Sequence, residues 1–453
     1  MAVSSEELGK KDIKKLLVQQ AVPSSIGILF MSVNILVDTI FVGQWIGSLA
    51  IAAVTVVLPI TFFISSLGMA IGVGGGSVLS RALGSNDKEK ALFTFANQIM
   101  MTFLLASVFV IFGLFFSDEM LTLFGAKGNI VAPAKEFFLP IIISVPFLAL
   151  CMMGNNIIRA EGKAKYAMFA MIIPAFVNII LDIIFIKMMN MGMLGAALAT
   201  AISYFTCFVF VLWFFVYKSE LRLEIRHFKF QIPLIKEITE LSFVTFSRQG
   251  VVSVLSIILN HTLYTYGGEH SIAVYGIISR MLMFALFPIL GITQGFLPIA
   301  GFNYGAKNFD RVKESVNVSI KYAALLATVI FVVILILAKP IVAVFTNDPE
   351  VIAETPNALR WVFAASPIIA IQLIGAAYFQ AAGKAKKALF LTLTKQGFFL
   401  IPLVLILPHF FGIFGVWVAF PIADILSTII TAYFLKKEMN TVLIQKNGID
   451  NTF

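Results

Sequence analysis

Apolar runs long enough to cross a lipid bilayer recur along almost the whole of this sequence, separated by short polar segments. An α-helix rises 1.5 Å per residue, so about 20 apolar residues traverse a hydrocarbon core about 30 Å thick. Twelve such runs can be laid out, at roughly 22–45, 50–75, 90–116, 133–156, 165–188, 193–217, 238–263, 271–297, 314–337, 353–378, 387–409 and 413–435. Composition agrees, with 59% hydrophobic residues, 13% charged residues and a mean hydropathy of +0.96. Soluble domains carry roughly a quarter charged residues. The runs are continuous rather than alternating, which excludes an outer-membrane barrel. The predicted fold is an all-α integral membrane protein with twelve transmembrane helices. Pro23, Pro59, Pro146 and Pro174 fall within or at the mouths of these runs. A membrane helix tolerates such kinks when its neighbours satisfy the freed carbonyls.

The basic residues give an orientation. If the N-terminus is cytoplasmic, the inner segments hold Lys10, Lys11, Lys14, Lys15, Arg81, Lys88, Lys90, Arg222, Arg226, Lys436 and Lys437. The outer segments hold Lys127, Lys135, Lys187 and Lys339. This asymmetry predicts both termini inside. The net charge of +9 is then a topology signal and a contact surface for anionic lipid, and nucleic acid is not an expected partner. The polar, basic lead-in before the first run suits an amphipathic surface helix.

The two halves repeat at one shared offset. Gly162-Lys163-Ala164-Lys165 recurs as Gly383-Lys384-Ala385-Lys386, Gly154 maps to Gly375, Pro146 to Pro367, Phe124 to Phe345 and Gly84 to Gly305. Six helices per repeat is an even number, so both lobes enter the membrane from the same side, as parallel pseudo-symmetric repeats. The expected organisation is a cytoplasmic N-terminal segment (1–21), an N-lobe of helices 1–6 (22–217), a cytoplasmic linker (218–237), a C-lobe of helices 7–12 (238–435) and a cytoplasmic tail (436–453). Such duplicated lobes usually serve alternating access.

Two runs carry acids where lipid would penalise them. The first holds Asn34 and Asp38, and the fifth holds Asn178 and Asp182. Residues four apart share a helix face, and an acid in hydrocarbon costs at least about 2.5–3.5 kcal/mol. Both helices enter from the cytoplasm and each Asp lies at a similar depth, which favours one shared pocket. Two close carboxylates in low dielectric cannot readily both ionise. The pair could hold a proton or, with the Asn oxygens and Thr200, cage a Na⁺; the alternative is polar glue between helices. At the repeat offset Asn178 maps to Phe399 and Asp182 to Leu403, while Asp38 falls opposite Leu259 or, with one gap, Asn260. Paired acids are thus confined to the N-lobe, an asymmetry that favours function over architecture.

The C-lobe has its own membrane charges, Arg248, Arg280, Arg360, Lys395 and Asp424. Lys395 and Asp424 lie at similar depth on either side of an outer hairpin and are expected to pair structurally. Arg248 and Gln249 either snorkel or line a cavity. The run GVGGGS at 72–77 has no preceding strand and no following Lys, so a phosphate-loop reading fails, and close helix packing or a flexible cytoplasmic end is expected. The four His are scattered without metal-ligand spacing. Cys151 and Cys207 read as separate small packing residues without a disulfide framework. Met152, Met153, Met168, Met171, Met188, Met189, Met191 and Met193 cluster in the N-lobe and read mostly as core or lipid-facing, while a Met- and Phe-lined cavity would suit varied apolar substrates.

Two segments carry a family resemblance, GGGSVLSRALGSNDKEKA after the second run and IRAEGKAKYAM before the fifth. With twelve helices in two parallel lobes, the chain resembles the MATE (multidrug and toxic compound extrusion) transporters over nearly its whole length. In the prokaryotic DinF-like and MepA-like branches the N-lobe site is similar to Asp38, Asn178, Asp182 and Thr200 here, with Asn34 as an addition. Pro23 matches the position where that family's first helix can bend. The NorM-like branch relies on C-lobe acids in helices seven, eight and ten, which are missing here. The resemblance implies a secondary active exporter of organic, often cationic, amphipathic compounds, driven by H⁺ or Na⁺ antiport, in a bacterial or archaeal cytoplasmic membrane. It implies membrane lipid and drug-like molecules as partners, a monomer, and no cofactor beyond the coupling ion, with Na⁺ at Asp38, Asn178 and Asp182 as the one metal reading. A same-fold rival is a lipid-linked oligosaccharide or metabolite flippase. An enzyme is not expected, because no nucleophile–base pair or metal cluster stands out.

Overall fold

The computed structural model describes residues 5–346 and 348–450, with backbone alone beyond 441. Among these residues there is no β-strand, and most membrane helices follow one another with tight connections, the longer ones at 116–130 and 218–231 carrying short helical turns of their own. In the first half they are α1 (Ile13–Trp45), α2 (Ser48–Gly84), α3 (Lys88–Phe115), α4 (Val131–Ala160), α5 (Ala164–Asp182, continued by a π-helical segment Ile183–Met188) and α6 (Gly192–Tyr217). In the second half a helix spanning Ile232–Gly305 is broken only at Gly268, whose φ of 64° is non-helical. It therefore counts as α7 (232–267) and α8 (269–305). Then come α9 (Phe309–Phe345), α10 (Pro349–Val362 and Ile369–Ala381, interrupted at 363–368), α11 (Ala385–Leu393, a π-helical segment Thr394–Leu400, and Ile401–Ile406) and α12 (Ile413–Asp450).

Local signals start several of these helices. Asp87 accepts a hydrogen bond from the Lys90 amide at the head of α3, and Asp348 caps α10 with Pro349 in the first turn. A short helix, Glu7–Lys10, precedes the first membrane helix, which begins at Ile13 ahead of the apolar run, and α12 continues through most of the expected tail. Residues 1–4 and 451–453, the ends of the expected terminal segments, lie outside the described residues.

The internal repeat extends to the backbone. Left-handed residues occur at Gly47 and Gly268, Asn86 and Lys307, and Gly162 and Gly383, each pair at the offset read from the sequence. Gly192 and Gly412 differ from it by one. Gly47 and Gly268 mark the first hairpin of each half, so no gap separates them from the spans before, and Asp38 corresponds to Leu259.

The chain divides into two compact units. One comprises residues up to Glu7 with Ile26–Ser242, and the other Leu8–Ser25 with Phe243–Phe453. The division cuts α1 two residues after Pro23, through which α1 remains helical. In the first unit α4 is the most buried helix, and in the second its counterpart α10. Gly72, Gly74 and Gly75 on α2 lie at close approaches. A Cβ on Gly72 would stand 2.9 Å from Met153 Cα, and one on Gly74 would stand 2.8 Å from the Ile238 carbonyl. The glycine run is therefore a packing seam, which removes the phosphate-loop reading.

Cys151 on α4 and Cys207 on α6 are joined as a disulfide, with Cα atoms 6.0 Å apart. This corrects the reading of two unpaired cysteines. Their separation of 56 residues carries no pairing signal, and only the packing of α4 on α6 brings them together.

The repeated Gly-Lys-Ala-Lys loops are anchored by equivalent lysines. Lys163 Nζ donates to the Lys218 carbonyl (2.7 Å) and pairs with Glu161 (3.4 Å). Lys384 pairs with Glu438. Glu161 is fully buried and accepts from Ser219 Oγ and the Glu220 amide. Burial holds its carboxyl above the ordinary range, and Ser219, Lys163 and the Glu220 amide offset that only in part.

Candidate functional site

The first unit contains a cavity of about 160 Å³ between α1, α2, α4, α5 and α6. Its wall is largely apolar, with Met31, Met152, Met171, Phe62 and Phe137 among the lining side chains. Thioethers and rings give an adaptable surface for varied shapes. Polar groups converge along one side. Asn34 and Asp38 come from α1, Asn178 from α5, and Thr200 and Tyr204 from α6. Each pair on a helix is one turn apart and faces the same way.

These groups form a connected but incompletely satisfied network. Asn34 Nδ2 donates to Asn178 Oδ1 at 3.0 Å, and Asn178 Nδ2 donates to Thr200 Oγ1 at 3.5 Å. The carboxyl groups of Asp38 and Asp182 face each other at hydrogen-bonding distance. Asp182 is fully buried behind the cavity wall, as the last α-helical residue before the π-helical turn at 183–188. Such a turn shifts the register of the side chains around it.

Among the described residues, Asn34 Oδ1, Asp38 Oδ1 and both oxygens of Asp182 are buried without a protein donor. Each orphaned polar atom costs about 1–3 kcal/mol. No Lys or Arg is among the cavity-lining residues. The arrangement is an oxygen cluster suited to a proton or a small oxygen-loving cation. The residues present fit a Na⁺ in donor chemistry, since carboxylate, amide and hydroxyl oxygens are hard ligands.

Of the five residues the sequence groups in one pocket, Asn34, Asp38, Asn178 and Thr200 line the cavity, and Asp182 lies buried behind its wall. Sequence reasoning missed Tyr204, which lines the cavity beside the Asp38 carboxyl. A Tyr inside an apolar run reads as core; the available signal was its position one turn past Thr200. Pro23 is buried in α1, in the part of that helix belonging to the second unit.

The second unit differs at the corresponding positions. Leu259 is fully buried in its core, and Phe399 and Leu403 pack against that core. Its charges lie elsewhere. Lys395 Nζ stands 2.6 Å from Asp424 Oδ1, and both line a separate cavity of about 150 Å³. Arg248 is half-buried and Gln249 and Asn260 are exposed, and these three are not among the residues lining that cavity.

Comparison with known proteins covers both halves of the chain. The MatE family model matches residues 23–184 and again 248–406, once in each half. Multidrug export protein MepA of Staphylococcus haemolyticus (strain JCSC1435) is 27% identical over 441 residues, covering 97% of each chain. A crystal structure of MATE in the bent conformation superposes with a TM-score of 0.92 at 26% identity, over 98% of this chain and 99% of that one. An outward-facing multidrug resistance MATE family transporter of the MOP superfamily gives 0.90 at 26% identity, with the same coverage.

Proposed function

The chain belongs to the MatE family of multi-pass membrane transporters, and from that premise we propose that it exports organic, often cationic, amphipathic compounds by antiport with H⁺ or Na⁺. The observation that carries this reading is the Asp38–Asp182 pair, two facing acids with orphaned oxygens at the edge of a cavity lined with Met and Phe. An enclosed anionic cluster in low dielectric attracts an organic cation whose apolar body the cavity accepts. A proton or Na⁺ from outside neutralises the same oxygens. Cargo and ion then compete for one set of groups, and each lowers the affinity for the other. The chain Asn34–Asn178–Thr200 ties α1, α5 and α6 into one polar face, so a change of charge at Asp38 is felt by three helices. The transporter works as a monomer in a bacterial or archaeal cytoplasmic membrane, with both termini inside.

The test is efflux of a fluorescent cationic dye from proteoliposomes, with H⁺ and Na⁺ gradients imposed separately. Dye movement driven by one gradient supports antiport and names the ion. Dye that moves under neither gradient removes the proposal in favour of a flippase-like export of another cargo.

A further inference from the structure

The cavity of the second unit has a chemistry opposite to that of the first. Lys395 lies in the π-helical segment of α11 and Asp424 on α12, 2.6 Å apart. Both side chains line the cavity, and the lysine is the more exposed of the two, 19% against 5% for the aspartate. An ammonium carries three N–H donors, and Asp424 is the acid that Lys395 meets among the described residues, so donors remain for another acceptor. Ser366, Gln396 and Tyr275 add polar groups to the same wall, and Phe420 and Leu282 add apolar surface.

An ion pair that served only to hold α11 on α12 would gain little over well-packed apolar residues of similar volume. It would also need no cavity. We infer that the Lys395–Asp424 cavity is a second ligand site, which takes a small aromatic carboxylate with its anionic group on Lys395 and its ring against Phe420 and Leu282. The size fits, since a 150 Å³ apolar cavity accommodates a benzene ring. The charge fits as well, since an ammonium is a compact donor for a single carboxylate. Asp424 is the internal competitor for that ammonium. It keeps Lys395 neutralised when the site is empty and weakens binding when the ligand arrives. Substrates carrying both a cation and a carboxylate would then find complementary sites in different halves of the chain.

The experiment titrates the full-length protein in lipid nanodiscs with 4-fluorobenzoate, followed by ¹⁹F NMR, with 4-fluorobenzylamine as the cationic counterpart. Wild type is expected to bind the acid. Asp424→Asn should tighten it about fivefold or more by removing the competing carboxylate. The double variant Lys395→Met/Asp424→Leu, which leaves no unpaired charge to compromise folding, should abolish acid binding and leave the amine unchanged. Equal affinity for the acid in all three proteins, or no binding by wild type and Asp424→Asn alike, would overturn the inference. The readout is binding without a gradient, so its failure is separate from failure of the antiport reading.

Discussion

Position for position, Asn178 and Asp182 on α5 correspond to Phe399 and Leu403 on α11, and Asp38 on α1 to Leu259 on α7. The backbones at these positions belong to one repeated design, down to paired left-handed residues at Gly47 and Gly268 and at Gly162 and Gly383. The side chains are opposites. In the first unit, acids face acids and their oxygens lack donors; in the second, the equivalent volume is apolar core. The buried charge of the second unit sits elsewhere and is already neutralised by its partner. A duplicated scaffold therefore keeps what folding needs in both copies, and it concentrates unsatisfied charge in one. Orphaned groups cost stability, so an unpartnered acid pair in one half, where the other half has Leu259, Phe399 and Leu403, supports the proposed coupling role over a purely architectural one.

The largest test of this contrast is functional. Asp38→Asn and Asp182→Asn should each reduce gradient-driven dye efflux at least about tenfold, the effect of losing about 1.4 kcal/mol of coupling. Lys395→Met/Asp424→Leu should change efflux of a cationic dye by less than about twofold. A reversed pattern would move coupling to the second unit and break the comparison. Stability should run the other way. Lys395→Met alone strands the Asp424 carboxylate and should cost about 3–5 kcal/mol, whereas the double variant should be close to neutral. Detergent-solubilised protein followed by tryptophan fluorescence on heating would register both, and a mild Lys395→Met would mean that the pair is not truly enclosed.

Thr200→Ala removes an acceptor from the Asn178 side chain and should slow efflux severalfold, for about 1 kcal/mol. Gly162→Ala and Gly383→Ala sharpen the comparison from its symmetric side. Both residues have φ near +78°, so each substitution should cost about 1–2 kcal/mol, and by similar amounts. Unequal losses would show that the loops are not equivalent despite their shared backbone.

The smallest effect concerns the loop after α4. Folding raises the Glu161 carboxyl above its ordinary value of 4.5, so the folded state holds that proton more tightly than the unfolded state does. Its contribution is present in full below about pH 4.5 and is lost as pH rises through the elevated value. The melting temperature of wild type should therefore fall relative to Glu161→Gln as pH increases from 4.5, and a parallel pair of curves would contradict the buried-acid assignment.

Much of this was legible in the residues themselves. The spans follow from run length, because only helices satisfy the backbone in lipid. The acid pair follows from depth and i, i+4 spacing, and the same depth argument found Lys395 with Asp424. Other features leave little trace. A π-helical turn adds one residue to a periodicity that an apolar run already blurs, so the segments at 183–188 and 394–400 were not visible. The break at Gly268 occupies a single residue where a loop at 264–270 was expected. Cys151 with Cys207, and Tyr204 with Asp38, meet only through helix packing, which no local spacing encodes.

The glycine seam of α2 has a further consequence, for how this protein can vary. Where a Cβ at Gly72 or Gly74 would run into the backbone of α4 or the start of α7, no neighbouring rotamer can yield, so a larger residue at either position requires a backbone shift. The methionines and phenylalanines of the cavity wall carry no such constraint, since they can exchange volume with one another at modest cost. On the proposed export function, the lining can therefore change cargo range while these glycines stay fixed.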